Sequence, residues 1–250
     1  MIDQNITKKL QVYEIDILKQ IDRICRKYRL TYFAVGGTAL GAVRHQGFIP
    51  WDDDIDIAMA RKDYEKFLEV LPEELPAQYH VQNYFTEPKT PFYFTKIRRN
   101  NTKFVEYYIK DHDIHQGFFI DVFPFDNVPD NPTVQKIHFR IGRILYQMFL
   151  AKSLKTVFSS KEGQKKGYKS YLRLLLHYSL CIVPKAWIFH ALNGWEQMFN
   201  HKETKVISHV VRRRLRANVA QLYPVRYLEF DGFQMPVFLS WPLSKVYFMS

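Results

Sequence analysis

The stretch Leu30-Thr-Tyr-Phe-Ala-Val-Gly36-Gly-Thr-Ala-Leu-Gly-Ala-Val-Arg-His-Gln-Gly-Phe-Ile-Pro-Trp-Asp52-Asp-Asp-Ile-Asp-Ile57 decides how this chain is read. Leu30 to Val35 is an apolar, β-rich run that reads as a buried strand. It enters Gly36-Gly37, after which Thr38 to Val43 form a short helix. Gly47, Pro50 and Trp51 mark a turn or loop, and Ile55 to Met59 a second strand. A glycine pair between strand and helix lets backbone N–H groups approach an anion at the helix N-terminus. Two glycines alone are weak evidence. Their weight comes from the Asp-x-Asp pair about 17 residues later.

The flanks extend this pattern. Ile6, Leu10, Tyr13, Ile17, Ile21, Ile24 and Tyr28 step by three and four, which predicts a long amphipathic helix before the first strand. Tyr64, Phe67, Leu68 and Leu71 predict another helix from Arg61, stopped by Pro72. Tyr79–Tyr84, Phe92–Arg99 and Lys103–Tyr108 read as β-rich segments, and Phe118–Phe123 as an apolar strand closed by Pro124. From Pro132 long helical patterns run to about residue 218. Leu172–Asn193 is apolar, but Arg173, His177, Pro184, Lys185 and His190 favour a buried or interfacial helix pair over a membrane span. The expected fold is therefore α+β, a mixed sheet with flanking helices, followed by a mainly helical second half. Three segments are expected: 1–131 as the catalytic core, 132–225 as a basic helical region, and 226–250 as a C-terminal segment.

At 250 residues the chain is long enough to bury a core without disulfides. With 47% apolar and 24% charged residues, disorder, collagen-like repeats and disulfide scaffolds are excluded. Two cysteines, Cys25 and Cys181, supply neither a disulfide framework nor a four-ligand zinc site, and fit a reducing compartment. The polar, then amphipathic N-terminus has no signal-peptide pattern, and a cytoplasmic location is expected. The net charge of +11 is uneven. Residues 1–135 hold 17 Lys/Arg and 20 Asp/Glu, whereas residues 136–250 hold 19 and 5. Lys161, Lys165, Lys166, Lys169 and Arg212-Arg-Arg-Leu-Arg216 make the second half suited to an anionic glycan or the inner membrane surface, or to a plain solvated face. Nucleic acid is disfavoured, because the aspartates would repel its backbone.

Asp52, Asp53, Asp54 and Asp56 repel one another, and such a cluster in an apolar segment suits a cation. On a strand Asp54 and Asp56 share a face, with Asp52 joining at its start and Asp53 pointing away. Oxygen ligands beside a phosphate site suit Mg²⁺ or Mn²⁺. A solvated acidic turn is the plainer alternative. Asp121, inside Phe118-Phe-Ile-Asp-Val-Phe123, is a third-strand carboxylate that is costly to bury unless paired. It completes the metal set or caps a strand end in a salt bridge. Asp126, before Asn127 and Pro129, reads as a turn residue. Arg44, His45 and Lys96 are candidates to neutralise phosphate charge, with Lys96 and Arg98 on one face. His45 has no visible metal partner.

The run from Gly36 to His45, then Gly47-Phe-Ile-Pro-Trp-Asp-Asp-Asp-Ile-Asp-Ile57, with Phe119-Ile-Asp-Val-Phe-Pro124 later, closely resembles the LicD family of bacterial phosphocholine transferases and animal fukutin-related proteins. The resemblance is strong over residues 10–130 and weaker over 220–236. It implies a nucleotidyltransferase-like fold, with Asp52, Asp54 and Asp56 as the acidic motif and Asp121 as its later partner. Asp54, Asp56 and Asp121 would then be catalytic, and Gly36, Gly37, Thr38, Arg44 and Lys96 would meet the phosphates. It further implies a CDP-activated alcohol, CDP-choline or CDP-ribitol, whose phosphoalcohol half passes to a sugar hydroxyl of a surface glycan such as lipopolysaccharide, teichoic acid or capsule. A true nucleotidyltransferase acting on a small acceptor and a non-catalytic binder of anionic glycan or membrane stay open beside it.

A quaternary ammonium wants an aromatic cage. Trp51, Tyr84, Phe92, Tyr93, Phe94, Tyr107 and Tyr108 are available, and the sequence selects none of them. Tyr227–Pro236 resembles a late family segment, but Val237–Ser250 departs from it, with Lys245 its only charge. A truncated or frame-altered end with reduced stability is the expectation there.

Overall fold

The computed structural model describes residues 4–154, 175–209 and 215–238. Residues 161–169, Arg212 to Arg214 and 239–250 lie outside it, so most of the basic clusters and the unusual C-terminal tail are beyond the described residues. In chain order the elements are α1 (Gln4–Tyr28), β1 (Phe33–Ala34), α2 (Gly36–His45), β2 (Asp56–Ala60), α3 (Arg61–Glu74), β3 (Tyr79–Gln82), β4 (Thr95–Arg99) and β5 (Phe119–Asn127). Then come α4 (Pro132–Ser153), α5 (Lys185–Glu196), β6 (Val206–Ser208), β7 (Arg216–Asn218), α6 (Val219–Leu222), β8 (Arg226–Phe230) and β9 (Phe233–Val237).

The sheet is mixed, in the order β1-β2-β5-β4-β3. β2 and β5 are parallel, while β1, β4 and β3 join antiparallel. Beyond Phe125, β5 also pairs with β6, and β6 with β7. Alternation along the strands divides the core. Ile57, Met59, Ile97, Ile120 and Val122 pack on Ile17, Leu18 and Ile21 of α1 and Phe67 and Leu71 of α3. The opposite face gives Ala58, Phe94, Phe123 and Phe125 to a second cluster with Leu150 and Leu154. Because both faces are covered, β5 is buried from Phe119 to Asp126. α4 begins with Pro132 at its first position and Asn131 as cap, whose side chain accepts from the Thr133 and Val134 N–H groups.

Several expectations are corrected. β5 does not end at Pro124 but continues to Asn127, so Asp126 is no turn residue. It is fully buried, and Arg61 donates to it through Nε at 2.8 Å and Nη2 at 2.6 Å. The bidentate pair is what permits a carboxylate inside the sheet. α3 runs two residues past Pro72, at the loss of one interior hydrogen bond. Lys103–Tyr108 is not a strand; it is an irregular loop leading into a 3₁₀ turn at Tyr107–Ile109. The second half holds the expected α4 and α5 but also β6 to β9.

β8 and β9 form a hairpin closed by Asp231-Gly232, with φ +47 and +77. Two positive φ values at an Asp-Gly pair are what a tight two-residue hairpin requires. The hairpin places Phe230, Met235 and Val237 in the first cluster and Phe238 against Phe33, ring centroids 5.2 Å apart. Residues 226–238 thus belong to the same core as the opening strand. Among the described residues no helix is long and apolar enough to cross a membrane.

Candidate active site at the acidic end of the sheet

The strand-turn-helix unit folds back on the aspartates. Val35 N–H donates to Asp56 O at 3.0 Å, and Asp56 N–H donates to Thr38 Oγ1 at 2.8 Å. Gly36 has φ +59, a conformation glycine adopts without cost. A Cβ there would lie 3.2 Å from Asp56 Oδ2, and one on Gly37 would lie 2.5 Å from Asp52 Oδ2. The glycines therefore let carboxylates come up against the start of α2, whose positive dipole end favours negative charge. On the other side, Gln11 of α1 donates to Asp52 O at 3.0 Å and anchors the same loop.

β2 begins only at Asp56, so Asp52, Asp53 and Asp54 precede the strand and the expected face rule does not govern them. One carboxylate oxygen from each of the three lies within 4.8 Å of the others, Asp53 included. The sheet register adds a row beside them. Asp56 is opposite Asp121, and Asp121 is opposite Lys96. Lys96 Nζ is 2.7 Å from Asp121 Oδ1 and 3.7 Å from Glu106. Arg98, on the same face as expected, is also within 3.5 Å of Glu106 and donates to Gln82 and to Gly117 O. Both cations are buried. Arg44 is exposed in the last turn of α2, roughly 12 Å along the helix from Gly36. His45 is exposed beside it.

Crowding shows in the acidities. Burial first, and then Asp121, Asp52 and Asp53, raise the Asp54 carboxyl to about 7, although Lys96 pulls the other way. Burial and then Asp53 raise Asp52 to about 6. A cluster of oxygens that resists carrying its full negative charge suits a hard divalent cation, whose ligands are such oxygens.

Two acids escaped the sequence reading. Glu14 lies on the buried side of α1, one turn beyond Gln11, and is 1% exposed. Its Oε2 has no hydrogen-bond partner. Burial, then Asp54, Asp53, Asp52 and Asp121, hold its carboxyl well above the ordinary range. The available signal was a lone carboxylate between Leu10 and Ile17 on an apolar stripe. Glu106 gave no such signal, because its segment resembles a strand.

Around this end lies a pocket of about 170 Å³, with Asp54 and Asp121 in its wall beside Lys96 and Glu106. Phe92, Phe94, Tyr108, Phe119 and Tyr146 supply aromatic surface.

The profile of the LicD/FKTN/FKRP nucleotidyltransferase domain matches residues 29–146, which carry nearly all of these groups. Over 253 aligned positions the chain is 26% identical to the lipopolysaccharide cholinephosphotransferase LicD of Haemophilus influenzae, covering 96% of this chain and 79% of that protein. It is also 29% identical to an uncharacterized protein of Rickettsia typhi over 137 residues, 55% of this chain and 41% of the relative. A second uncharacterized protein, from Rickettsia prowazekii, is 30% identical over 123 residues, 43% of this chain and 45% of its own length.

Proposed function

Because the chain carries the LicD-family domain, we propose that it is a transferase that moves phosphocholine from CDP-choline to a sugar hydroxyl of lipopolysaccharide or a related surface glycan. The observation that carries this reading is the acidic end itself. Asp52, Asp53 and Asp54 gather beside Asp121 in a chain similar along nearly its whole length to a named cholinephosphotransferase. On this reading the fold is nucleotidyltransferase-like, and residues 1–131 supply the chemistry while 132–225 face the acceptor.

In the reaction the acceptor oxygen forms a bond to the choline-side phosphorus. The bridging P–O bond of the diphosphate breaks, and CMP leaves with its electron pair. Asp121 takes the acceptor's proton, and Lys96 holds that carboxylate in position from 2.7 Å. Asp52, Asp54 and Asp56, with Asp121, would hold Mg²⁺ or Mn²⁺, which supplies charge neutralisation to the diphosphate when bound. Gly36, Gly37 and Thr38, at the start of α2 beside those carboxylates, would meet the donor phosphates. Arg44 meets the outer part of the donor. Peripheral contact with an anionic membrane on the cytoplasmic side is part of the same proposal. It is supported by the basic second half and by Ile182 and Trp187, which are 87% and 71% exposed.

The test is to incubate the protein with Mg²⁺, lipopolysaccharide lacking choline, and CDP-choline, CDP-ribitol or CDP-glycerol in turn. CMP release from CDP-choline, abolished by EDTA, is expected. Pyrophosphate release from CTP and a small acceptor would favour a nucleotidyltransferase instead. Glycan binding without any nucleotide product would mark a non-catalytic binder.

A further inference from the structure

α4 has two apolar sides. One carries Phe139, Phe149 and Leu150, all buried in the core. The other carries Val134, Ile137, Ile141, Ile144 and Met148, which step by three and four along about 20 Å of helix. Ile137 and Ile144 are 49% and 59% exposed. α5 repeats the arrangement. Its Ile188, Phe189 and Leu192 are buried, while Trp187, Ala191, Gly194 and Met198 form an exposed row. A Cβ added at Gly194 would meet nothing within 4 Å. The two helices run antiparallel: His138 stacks on Trp195 with ring centroids 5.4 Å apart, and Phe149 meets Phe189 at 6.1 Å. At about 100° per residue, each exposed row lies roughly 90° from its helix's line of contact, in the same rotational sense. In antiparallel helices the same sense puts both rows on one side of the pair, opposite the core.

Charge says what this side meets. α4 contains no Asp or Glu, and the acid of α5, Glu196, is fully buried. Lys136 and Arg140 are exposed and flank the α4 row on the side away from α5, with Arg143 beyond them. We propose that this two-helix face is the membrane-docking surface of the protein, lying flat on an anionic bilayer with both apolar rows below the head groups and Lys136 and Arg140 at the lipid phosphates. An apolar face with a cationic edge is the pattern of interfacial helices, and long cationic stems let the charge reach a phosphate while the stem stays on the apolar surface. A self-complementary dimer would place the same patch on both sides, cations included, with no acid to answer them. The proposal rests on the peripheral membrane contact in the functional reading and deepens it by naming the face that makes it. On that reading the acceptor is lipid-anchored, and docking holds the enzyme at the surface where the acceptor is found.

The experiment is co-sedimentation of the full chain with vesicles of phosphatidylglycerol and phosphatidylcholine in equal parts, and with phosphatidylcholine alone. The parent is expected to bind the anionic vesicles better. Ile137→Asp with Ile144→Asp should weaken that binding about tenfold or more, as two apolar side chains leave the bilayer. Lys136→Gln with Arg140→Gln should weaken it about tenfold at low salt and less at high salt. Melting temperature, oligomeric state and CMP release from CDP-choline with a detergent-dispersed acceptor should match the parent, because these side chains already face water. Parent-like vesicle binding in the aspartate variant overturns the face and leaves membrane contact to another surface. Equal parent affinity for both vesicles overturns the anionic assignment. A parent that binds neither loses the peripheral contact, and the face with it. A parent dimer that the aspartate variant splits makes this an interface between copies. A melting temperature several degrees lower in that variant makes it a surface covered by another part of the chain. Either result overturns the docking role. Vesicle binding of the expected pattern without CMP release would cost the transferase reading and leave the face standing.

Discussion

β2 and β5 lie side by side, and buried carboxylates stand at both ends of the pair. At the far end Asp126 and Glu196 are both fully buried, deeper than Asp121 at 5%. There Arg61 grips Asp126 with two hydrogen bonds, lies 3.7 Å from Glu196, and is joined by Asn200 at 2.6 Å from Asp126. At the near end Asp52, Asp53, Asp54, Asp56, Asp121 and Glu14 crowd together with Lys96 as the cation in direct contact. Burial alone does not separate the two ends. Local charge does: at one, two carboxylates share an arginine that grips Asp126 with two hydrogen bonds, and at the other six carboxyl groups have Lys96 as the cation in direct contact.

Removing Arg61 is the harshest way to probe this contrast. Arg61→Met leaves Asp126 and Glu196 buried without their counter-charge, which costs about 3–5 kcal/mol of stability. Denaturant unfolding measures it. A loss below about 1 kcal/mol would mean that the far end is no better balanced than the near one.

Asp54→Asn should do the reverse. Turnover falls by more than about a hundredfold, the upper figure for losing a group that merely supports a metal ligand. The fold survives. Its dependence on pH has a definite sign. With the Asp54 carboxyl raised to about 7, the folded chain keeps a proton that the unfolded chain releases near 4. Without metal, stability from this group is present at low pH and declines as pH climbs through that window. Asp54→Asn lacks the decline. Its melting temperature under EDTA should therefore gain on the parent's between pH 4 and 7, and a gap independent of pH would contradict the assignment.

Glu14→Gln is the subtlest of the three. It replaces a carboxyl whose ionisation burial and its neighbours disfavour with a neutral amide of the same shape, so metal-free melting should rise slightly or stay level. The melting shift produced by Mg²⁺ should shrink. A lower melting temperature with an intact Mg²⁺ shift would make Glu14 an ordinary core residue.

The sequence spoke most clearly where period and chemistry coincide. The apolar steps of α1, the Gly-Gly turn, and the Ile55-Asp-Ile-Ala-Met59 alternation lead to the observed elements within a few residues. Asp121 stood out because a lone acid in Phe118–Phe123 has no surface to escape to. Asp126 was misread because Asn127 and Pro129 are strong turn signals, while its partner Arg61 is 65 residues away. Asp53 was misplaced because alternation was extended back past the true start of β2. β6 and β7 are three residues each, too short to carry a pattern. The hairpin of β8 and β9 did carry a signal, Asp231-Gly232 between apolar runs, which the comparison with a helical second half obscured.

That hairpin also sets an order of events. Asp231 accepts from Phe48 N–H at 2.9 Å, across 183 residues of chain, and donates its own N–H to Gln46 O. A Cβ on Gly47 would meet its carboxylate at 2.6 Å, so the clasp closes tightly over the loop leading to the aspartates. A nascent chain released from the ribosome as far as residue 200 already contains every acid of the near end, yet lacks the second fastening of their loop. Vectorial synthesis thus delivers the acids first and the clasp over their loop last, and a contact of such long range is slow to form. Until residue 238 emerges, the acidic loop has the Gln11 anchor but not the clasp of the hairpin.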